Sequence, residues 1–230
     1  MSIDLLKKKV EEVLETRKIS NVKASVKFAI DISGSMRPLF INGTVQKTVD
    51  RVMAIAMKFD DNQTLDAFAF QNEAYELSPV KEQSYSNYVQ QNILNNRSIS
   101  LWGGTDYEPV MKLILESEYG ATTNSKGFLG LFSKKTSEKT PQHPIYAIIL
   151  TDGENGDMYE TETLITSNKN KNIYWEFVGI GNESFSFCKK MADKYDNVGF
   201  IQVKNLEKTS DEVLYNELLN TEFVEWIKKF

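Results

Sequence analysis

The sequence alternates short, continuous apolar runs with longer segments in which apolar residues recur at helical spacing. The runs occupy residues 26–30, 65–70, 146–150, 173–180 and 198–203. Runs of this length are typical of buried strands, and strands that alternate with helices favour a parallel sheet. Residues 74–80 follow the second run so closely that a hairpin is expected there. We therefore predict an α/β fold, with a three-layer, doubly wound, Rossmann-like, mostly parallel sheet and one antiparallel edge strand.

Apolar periodicity and capping patterns place the helices between these strands. We predict helices over residues 3–17, 45–56, 85–94, 105–115, 157–168 and 185–195, and one further helix after Thr209. Asp157 with Glu160 fits a capped helix start, and Thr209 with Glu212 matches the pattern of a capping box. Thr105 with Glu108 matches it too, so a purely structural capping role for Thr105 stays open.

The chain divides into three predicted parts. Residues 1–20 form an N-terminal amphipathic helix, residues 21–205 the α/β domain, and residues 206–230 a C-terminal helical segment that packs on the domain. Residues 120–142 are rich in Ser, Thr, Lys and Gly, which predicts a flexible insertion whose shortening should cost about 1 kcal/mol or less. Its apolar cluster at 127–132 either contacts a partner or membrane surface, or packs against the domain.

Charge and composition exclude several classes of function. A net charge of -5, with no basic patch, argues against nucleic-acid binding. A single cysteine, Cys188, excludes an internal disulfide and a cysteine-based zinc site, and the single histidine, His143, lies in a proline-flanked loop. No apolar segment is long enough for a transmembrane helix and the N-terminus lacks a signal-peptide core, so we expect a cytoplasmic protein.

Hydroxyl and carboxylate side chains follow the predicted strands or precede a predicted helix. Asp31, Ser33 and Ser35 come directly after one strand, Asp152 after another, and Thr105 before a helix. Parallel strands direct their carboxyl ends to one edge of the sheet, where ligands of such folds bind. This all-oxygen set suits a hard divalent cation: Mg²⁺ is favoured, with Mn²⁺ or Ca²⁺ as alternatives. Because only two of the five residues are carboxylates, the ion would remain electrophilic and seek an external anion.

The three segments together resemble the von Willebrand factor A (vWA) domain with its metal-ion-dependent adhesion site (MIDAS). Asp31, Ser33 and Ser35 match the first motif of that family, Thr105 the second and Asp152 the third. Flanking segments are similar to the TerF-like branch, which is associated with bacterial tellurium resistance and stress response. They are Phe59-Asp-Asp61, Asp66-Ala-Phe-Ala-Phe70, Trp102 to Tyr107 with Pro109, Phe177-Val-Gly-Ile-Gly181 and Asp196-Asn-Val-Gly199.

The resemblance implies a role for each matched residue. Ser33 and Ser35 would ligate the metal directly, and Thr105 would do so in an open, high-affinity state. Asp31 and Asp152 would act mainly through bound waters and orient the hydroxyls. A partner protein would supply a carboxylate to the remaining position. The loop glycines would allow close approach to the ion: Gly34, Gly103, Gly104 and Gly153.

The leading interpretation is a non-enzymatic, metal-dependent protein–protein interaction module. One alternative is a Mg²⁺-dependent phosphatase or phosphotransfer enzyme with Asp31 as nucleophile. Enzymes of the haloacid-dehalogenase type normally carry a second aspartate two residues later, where this chain has Ser33, a residue that is no general acid near neutral pH. The other alternative is a scaffold whose metal site is purely structural.

Overall fold

A computed structural model describes residues 2–120 and 139–230 of the chain. Its centre is a six-stranded sheet with the order β3-β2-β1-β4-β5-β6. Neighbouring strands pair in parallel except for β3, which pairs antiparallel with β2 at one edge. The predicted fold class is confirmed. The strands are β1 (Ser25–Asp31), β2 (Asp66–Phe70), β3 (Ala74–Glu76), β4 (Ile145–Thr151), β5 (Ile173–Ile180) and β6 (Val198–Val203).

Helices cover both faces of this sheet. They are α1 (Ile3–Arg17), α2 (Arg37–Ile41), α3 (Thr44–Phe59), α4 (Glu108–Tyr119), α5 (Met158–Ser167), α6 (Ser186–Lys194), α7 (Asp211–Leu218) and α8 (Thr221–Ile227). Side chains alternate between the faces of each strand, so the sheet separates two apolar cores. Residues of α1, α3, α7 and α8 belong to one core with Phe28, Ile148 and Val178, whereas α4, α5 and α6 pack with Ala29, Ile149 and Phe177.

Several predicted boundaries are wrong, each for a local reason. The edge strand after Ala74 ends at Glu76, and a single bridge between Leu65 and Val80 closes the hairpin further on. The helix predicted over 85–94 is a 3₁₀ turn (Tyr85–Asn87) followed by a π-type turn (Gln90–Leu94). The helix expected after Thr209 is two helices, because the Asn220 side chain accepts a hydrogen bond from Phe223 N and so caps a second helix start. The first of the two, α7, is capped by Ser210 and not by Thr209.

The terminal helices pack on the same core of the domain. Leu6, Val10 and Leu14 on the apolar face of α1 are buried in this core, as are Phe223 and Trp226 of α8. No helix of the described residues is long and apolar enough to cross a membrane. Most of the predicted insertion at 120–142, including the apolar cluster 127–132, lies outside the described residues. Its flexibility and contacts, and the cytoplasmic location of the protein, stay predictions.

Candidate metal centre

Three loops meet at the carboxyl edge of the sheet. Loop 1 (residues 31–36) follows β1, loop 2 (102–107) precedes α4, and loop 3 (151–157) follows β4. Backbone hydrogen bonds join them: Trp102 N donates to Ile32 O at 2.9 Å, Gly34 N to Gly103 O at 3.1 Å and Gly156 N to Thr105 O at 2.8 Å. Loop 2 is therefore held by both of its neighbours.

The side chains of loops 1 and 3 form a continuous row of oxygen atoms. Ser33 Oγ and Ser35 Oγ lie 3.2 Å apart, and Ser35 Oγ donates to Asp152 Oδ1 at 2.7 Å. Ser33 is buried whereas Ser35 is exposed, so the row runs from the interior to the surface. The predicted residues Ser33, Ser35 and Asp152 are thus brought together, with Asp31 beneath them.

Asp31 is fully buried and supports the row from below. Its Oδ1 accepts from Ser33 N at 2.7 Å, and its Oδ2 accepts from the Thr151 hydroxyl at 2.7 Å. Burial raises the pKa of this carboxyl to about 6, against the opposing effect of these hydrogen bonds, and the nearby Asp152 raises it further. The site would therefore favour a positive charge.

Asp152 shows the same lack of a counter-charge. Burial raises its pKa, the hydrogen bond from Ser35 opposes the rise, and Glu183 adds like-charge repulsion. Within residues 2–120 and 139–230, no Lys, Arg or His side chain forms an ion pair with Asp31 or Asp152. Buried carboxylates are ordinarily paired with a basic side chain or bind a metal, and the described residues supply no basic side chain to these two.

Thr105 lies in loop 2, and it does not cap α4. The helix begins at Glu108, so the predicted start at Thr105 and the alternative capping role are both wrong. The cap comes from loop 3 instead: Asp157 Oδ1 accepts from Tyr107 N at 3.0 Å, and Asp157 Oδ2 accepts from Glu108 N at 2.6 Å. The Thr105 hydroxyl is therefore not committed to the backbone of its helix.

Asp157 was predicted to cap its own helix, and that prediction is wrong. It stands at the N-cap position of α5 without a side-chain capping bond, because its carboxylate faces α4. Glu154 acts similarly on α6, accepting from Ser184 Oγ at 2.9 Å and from Ser186 N, and these bonds hold its pKa below the usual range despite partial burial. Asp157 and Glu154 of loop 3 thus anchor two different helix starts, which sequence spacing could not reveal.

Loop 2 is further fixed by the end of β2. Gly104 N donates to Asn72 Oδ1 at 2.8 Å, and Asp106 N donates to Gln71 O at 3.0 Å. A Cβ atom on Gly103 would lie 1.9 Å from Gln71 Oε1, and one on Gly104 would lie 2.8 Å from Asn72 Nδ2. These two glycines therefore let loop 2 pack against β2, a role separate from any approach to an ion.

The donor set fits a hard cation better than a soft one. It consists of hydroxyl and carboxylate oxygens, the ligands that Mg²⁺, Mn²⁺ and Ca²⁺ accept. No group of three or more His, Cys, Asp or Glu side chains suited to a metal occurs in the part of the chain that the structure describes. Cys188, buried and with its pKa raised to about 12, is not a ligand candidate here. Any metal would have to use the hydroxyl-dominated set.

Solved structures with similar folds include several vWA proteins. The ArnB paralog VWA2 of Sulfolobus acidocaldarius matches with a TM-score of 0.50 and 18% identity, over 82% of this chain and 43% of that one. A von Willebrand factor type A protein of Catenulispora acidiphila matches with a TM-score of 0.54 and 16% identity, over 87% and 43%. Proximal thread matrix protein 1 of the mussel byssus matches with a TM-score of 0.56 and 15% identity, over 87% of this chain and 48% of that one. The chain thus spans less than half of these proteins, and the likeness concerns the fold.

Sequence comparison identifies the family. The chain is 37% identical over 232 residues to "Uncharacterized protein YcbR" of Bacillus subtilis (strain 168), covering 99% of this chain and 87% of that protein. A family model described as the vWA found in the TerF C terminus matches residues 23–230, which include β1 and all three loops. The chain belongs to the vWA-TerF-like family.

Proposed function

We propose that this protein is a non-enzymatic module that binds a partner protein through a divalent cation, with Mg²⁺ favoured, in a bacterial tellurium-resistance or stress-response system. Domains of the vWA type mediate protein interactions, and the family match gives that coarse function. The metal dependence and the tellurium setting are the proposed part. The setting is supported by the TerF-like branch alone, whereas the metal dependence is supported by the site.

The metal proposal is carried by one observation: the side-chain oxygens of Ser33, Ser35 and Asp152 form a row whose negative charge is not neutralised by a described basic side chain. Its hydroxyls are within hydrogen-bond distance of one another, and the carboxyl groups of Asp31 and Asp152 form no ion pair with a basic side chain of residues 2–120 and 139–230. Ser33, Ser35 and Thr105 would hold the cation directly, while Asp31 and Asp152 would orient hydroxyls and bound waters. The bound cation would supply a Lewis-acidic position for a carboxylate of the partner.

The position of Asp31 also supports a non-enzymatic role. A nucleophilic carboxylate needs an accessible oxygen, but Asp31 is fully buried and both of its oxygens accept hydrogen bonds. Ser33 stands where a second aspartate would serve as general acid. A purely structural metal would need no exposed ligand, whereas Ser35 at the outer end of the row is exposed.

The metal proposal is tested by calorimetric titration with Mg²⁺ and Mn²⁺. We expect one site in the unaltered chain and a loss of affinity of roughly 10- to 100-fold in Ser35→Ala, the range typical of disturbed metal sites. Ser84→Ala, an exposed serine far along the chain from the loops, is the matched control and should bind normally. Equal affinity in Ser35→Ala and the control would contradict the proposed site.

The interaction and the enzyme alternative are separated by two further measurements. Asp31→Ala and Thr105→Ala should abolish Mg²⁺-dependent partner capture, and EDTA should abolish it in the unaltered chain, while thermal melts show that both variants fold. If both variants capture the same partners in EDTA, the adhesion-site interpretation fails. Hydrolysis of p-nitrophenyl phosphate that requires Mg²⁺ and disappears in Asp31→Asn would support the phosphatase instead.

A further inference from the structure

A cleft extends away from the proposed metal centre along the carboxyl edge of the sheet. It has a volume of about 370 Å³, and both Ser35 and Asp152 line one end of it. Leu39, Ile180 and Leu206 contribute apolar side chains, and Thr44 and Lys204 contribute polar ones. A ligand bound to the metal would therefore have this cleft directly beside it.

Thr44 gives the cleft an unused hydrogen-bond donor. This residue is 1% exposed, and its hydroxyl has no hydrogen-bond partner in the part of the chain that the structure describes, although buried hydroxyls are ordinarily paired. The backbone N–H of Thr44 is occupied, since it donates to Asn42 Oδ1 at 3.0 Å. The side-chain hydroxyl is thus the polar group of Thr44 that is left without a partner among the described residues.

Thr44 also stands at the start of α3, a helix of 16 residues. The N-cap residue is Gly43, which has no side chain to cap the helix, and Asn42 Oδ1 accepts from the N–H of Thr44. The first N–H groups of a helix have no acceptor inside the helix, and the helix dipole favours an anion at this end. The helix start and the free hydroxyl therefore select the same kind of ligand.

Lys204 supplies the positive charge at the same cleft. This exposed lysine follows β6, and its ammonium forms no ion pair with any described residue. Two exposed carboxylates, Glu183 and Glu207, also line the cleft. These acids oppose an anion and Lys204 favours one, but all three charges are exposed and therefore screened by solvent. We therefore expect Thr44 and the start of α3 to decide the preference of the cleft, and Lys204 to add to it.

We propose that the cleft is a second recognition site for the partner protein, and that it binds a carboxylate side chain a few residues from the carboxylate bound by the metal. This inference rests on the proposed function. Thr44 Oγ and the start of α3 would donate hydrogen bonds to the second carboxylate, and Lys204 would pair with it. The partner segment would therefore be doubly acidic, and its spacing would give selectivity that one metal–carboxylate bond lacks.

The test uses short capped peptides containing one Asp, with a Glu or a Gln placed one, two or three residues later. Affinities are measured by NMR chemical-shift titration at saturating Mg²⁺, a method suited to weak binding. At one spacing at least, the Glu peptide should bind roughly five- to tenfold more tightly than its Gln counterpart, the gain expected of a charge-assisted hydrogen bond. Inorganic phosphate is titrated in parallel, and its competition only with the Glu peptides would agree with an oxyanion site.

Variants assign the gain to the cleft. Thr44→Val and Lys204→Gln should each reduce the preference for Glu, the former more than the latter, without changing the affinity of the one-Asp peptides. Thr44→Val loses no hydrogen bond of the folded state, so it should fold normally. Lys208→Gln makes the same charge change at an exposed lysine that does not line the cleft, and it should keep the preference. Glu183→Gln should strengthen binding of the Glu peptides.

Three outcomes would overturn the inference. If Mg²⁺-dependent binding occurs but Glu and Gln peptides bind equally at every spacing, the second site is wrong and the metal module stands. If Lys208→Gln loses the preference as fully as Lys204→Gln, the effect is general electrostatics and not the cleft. If even the one-Asp peptides bind without Mg²⁺ dependence, the proposed function fails and this inference fails with it.

Discussion

The regions around Asp31 and Glu176 each bury a carboxyl group, but they differ in the hydrogen bonds that they donate to it. Asp31 ends β1, and both of its oxygens accept short hydrogen bonds from loop 1 and β4. Glu176 lies within β5, where Asn220 Nδ2 donates to its Oε2 at only 3.4 Å and its Oε1 has no partner. Burial alone therefore does not mark a functional acid. The oriented donors around Asp31 distinguish it.

The surroundings of Glu176 explain why it is expected to be neutral. Burial raises its pKa well above the usual value, Asn220 opposes the rise, and Glu222 and Glu217 add repulsion. The nearby Tyr174 hydroxyl is also unpaired, and a Cβ on Gly199 would lie within 2.7 Å of both side chains. Apolar packing around Phe223 holds α8 in this region, so the Glu176 carboxyl contributes little to the position of that helix.

The largest loss of stability is expected when Asp157, which anchors loop 3 to α4, is replaced. Asp157→Ala leaves the N–H groups of Tyr107 and Glu108 without their acceptor, so we expect a loss of about 2–4 kcal/mol in the free energy of unfolding. Because loop 3 then holds the start of α4 only through the remaining bonds, Tyr107 Oη to Gly153 O and Gly156 N to Thr105 O, Mg²⁺ affinity should also fall roughly tenfold. Denaturant melts and calorimetry measure the two effects. Asp193→Ala, at an exposed helical aspartate, should change neither, and an unaltered Mg²⁺ affinity in Asp157→Ala would separate the anchor from the site.

A smaller effect is expected at Glu176, and its size depends on pH. The pKa of the Glu176 carboxyl is higher in the folded state than in the unfolded state. Between these two pKa values the folded protein binds more protons than the unfolded chain, so the free energy of unfolding falls as pH rises through this range. Glu176→Gln removes this fall, so its stability relative to the unaltered chain should grow steadily from pH 5 to pH 8.

Urea melts across this pH range measure the difference. Glu225→Gln, at an exposed position of α8, is the control and should show no such growth. If Glu176→Gln is less stable than the unaltered chain at pH 8, the buried carboxyl is ionised and paired, and the contrast with Asp31 disappears.

The smallest stability effect should come from Thr105→Ala. Since α4 begins at Glu108 and Asp157 supplies its cap, the free energy of unfolding should change by less than about 0.5 kcal/mol, the range of ordinary surface substitutions. A helix cap would cost about 1 kcal/mol. A thermal melt in EDTA therefore separates the two roles, and a loss of that size would restore the capping interpretation.

Much of this molecule follows from its sequence. The apolar runs determine the strands, since continuous burial on both faces requires them, and β5 and β6 have the predicted bounds. The position of Asp31, Ser33, Ser35 and Asp152 at one edge follows equally, because parallel strands end on the same side. Helix starts were less predictable: the pairs Thr105 with Glu108 and Asp157 with Glu160 matched capping patterns that the fold does not use.

Only the tertiary structure decided how the loops are held and what surrounds them. Asp157 and Glu154 accept from helices that begin 50 residues upstream and about 30 downstream, and Thr151 orients an aspartate 120 residues away. The cleft beside the row joins α2, the start of α3 and the segments after β5 and β6. Spacing along the sequence predicts which side chains lie together on one strand or one helix turn. Hydrogen bonds between loops depend on which strands become neighbours, and this is fixed only when the whole sheet packs.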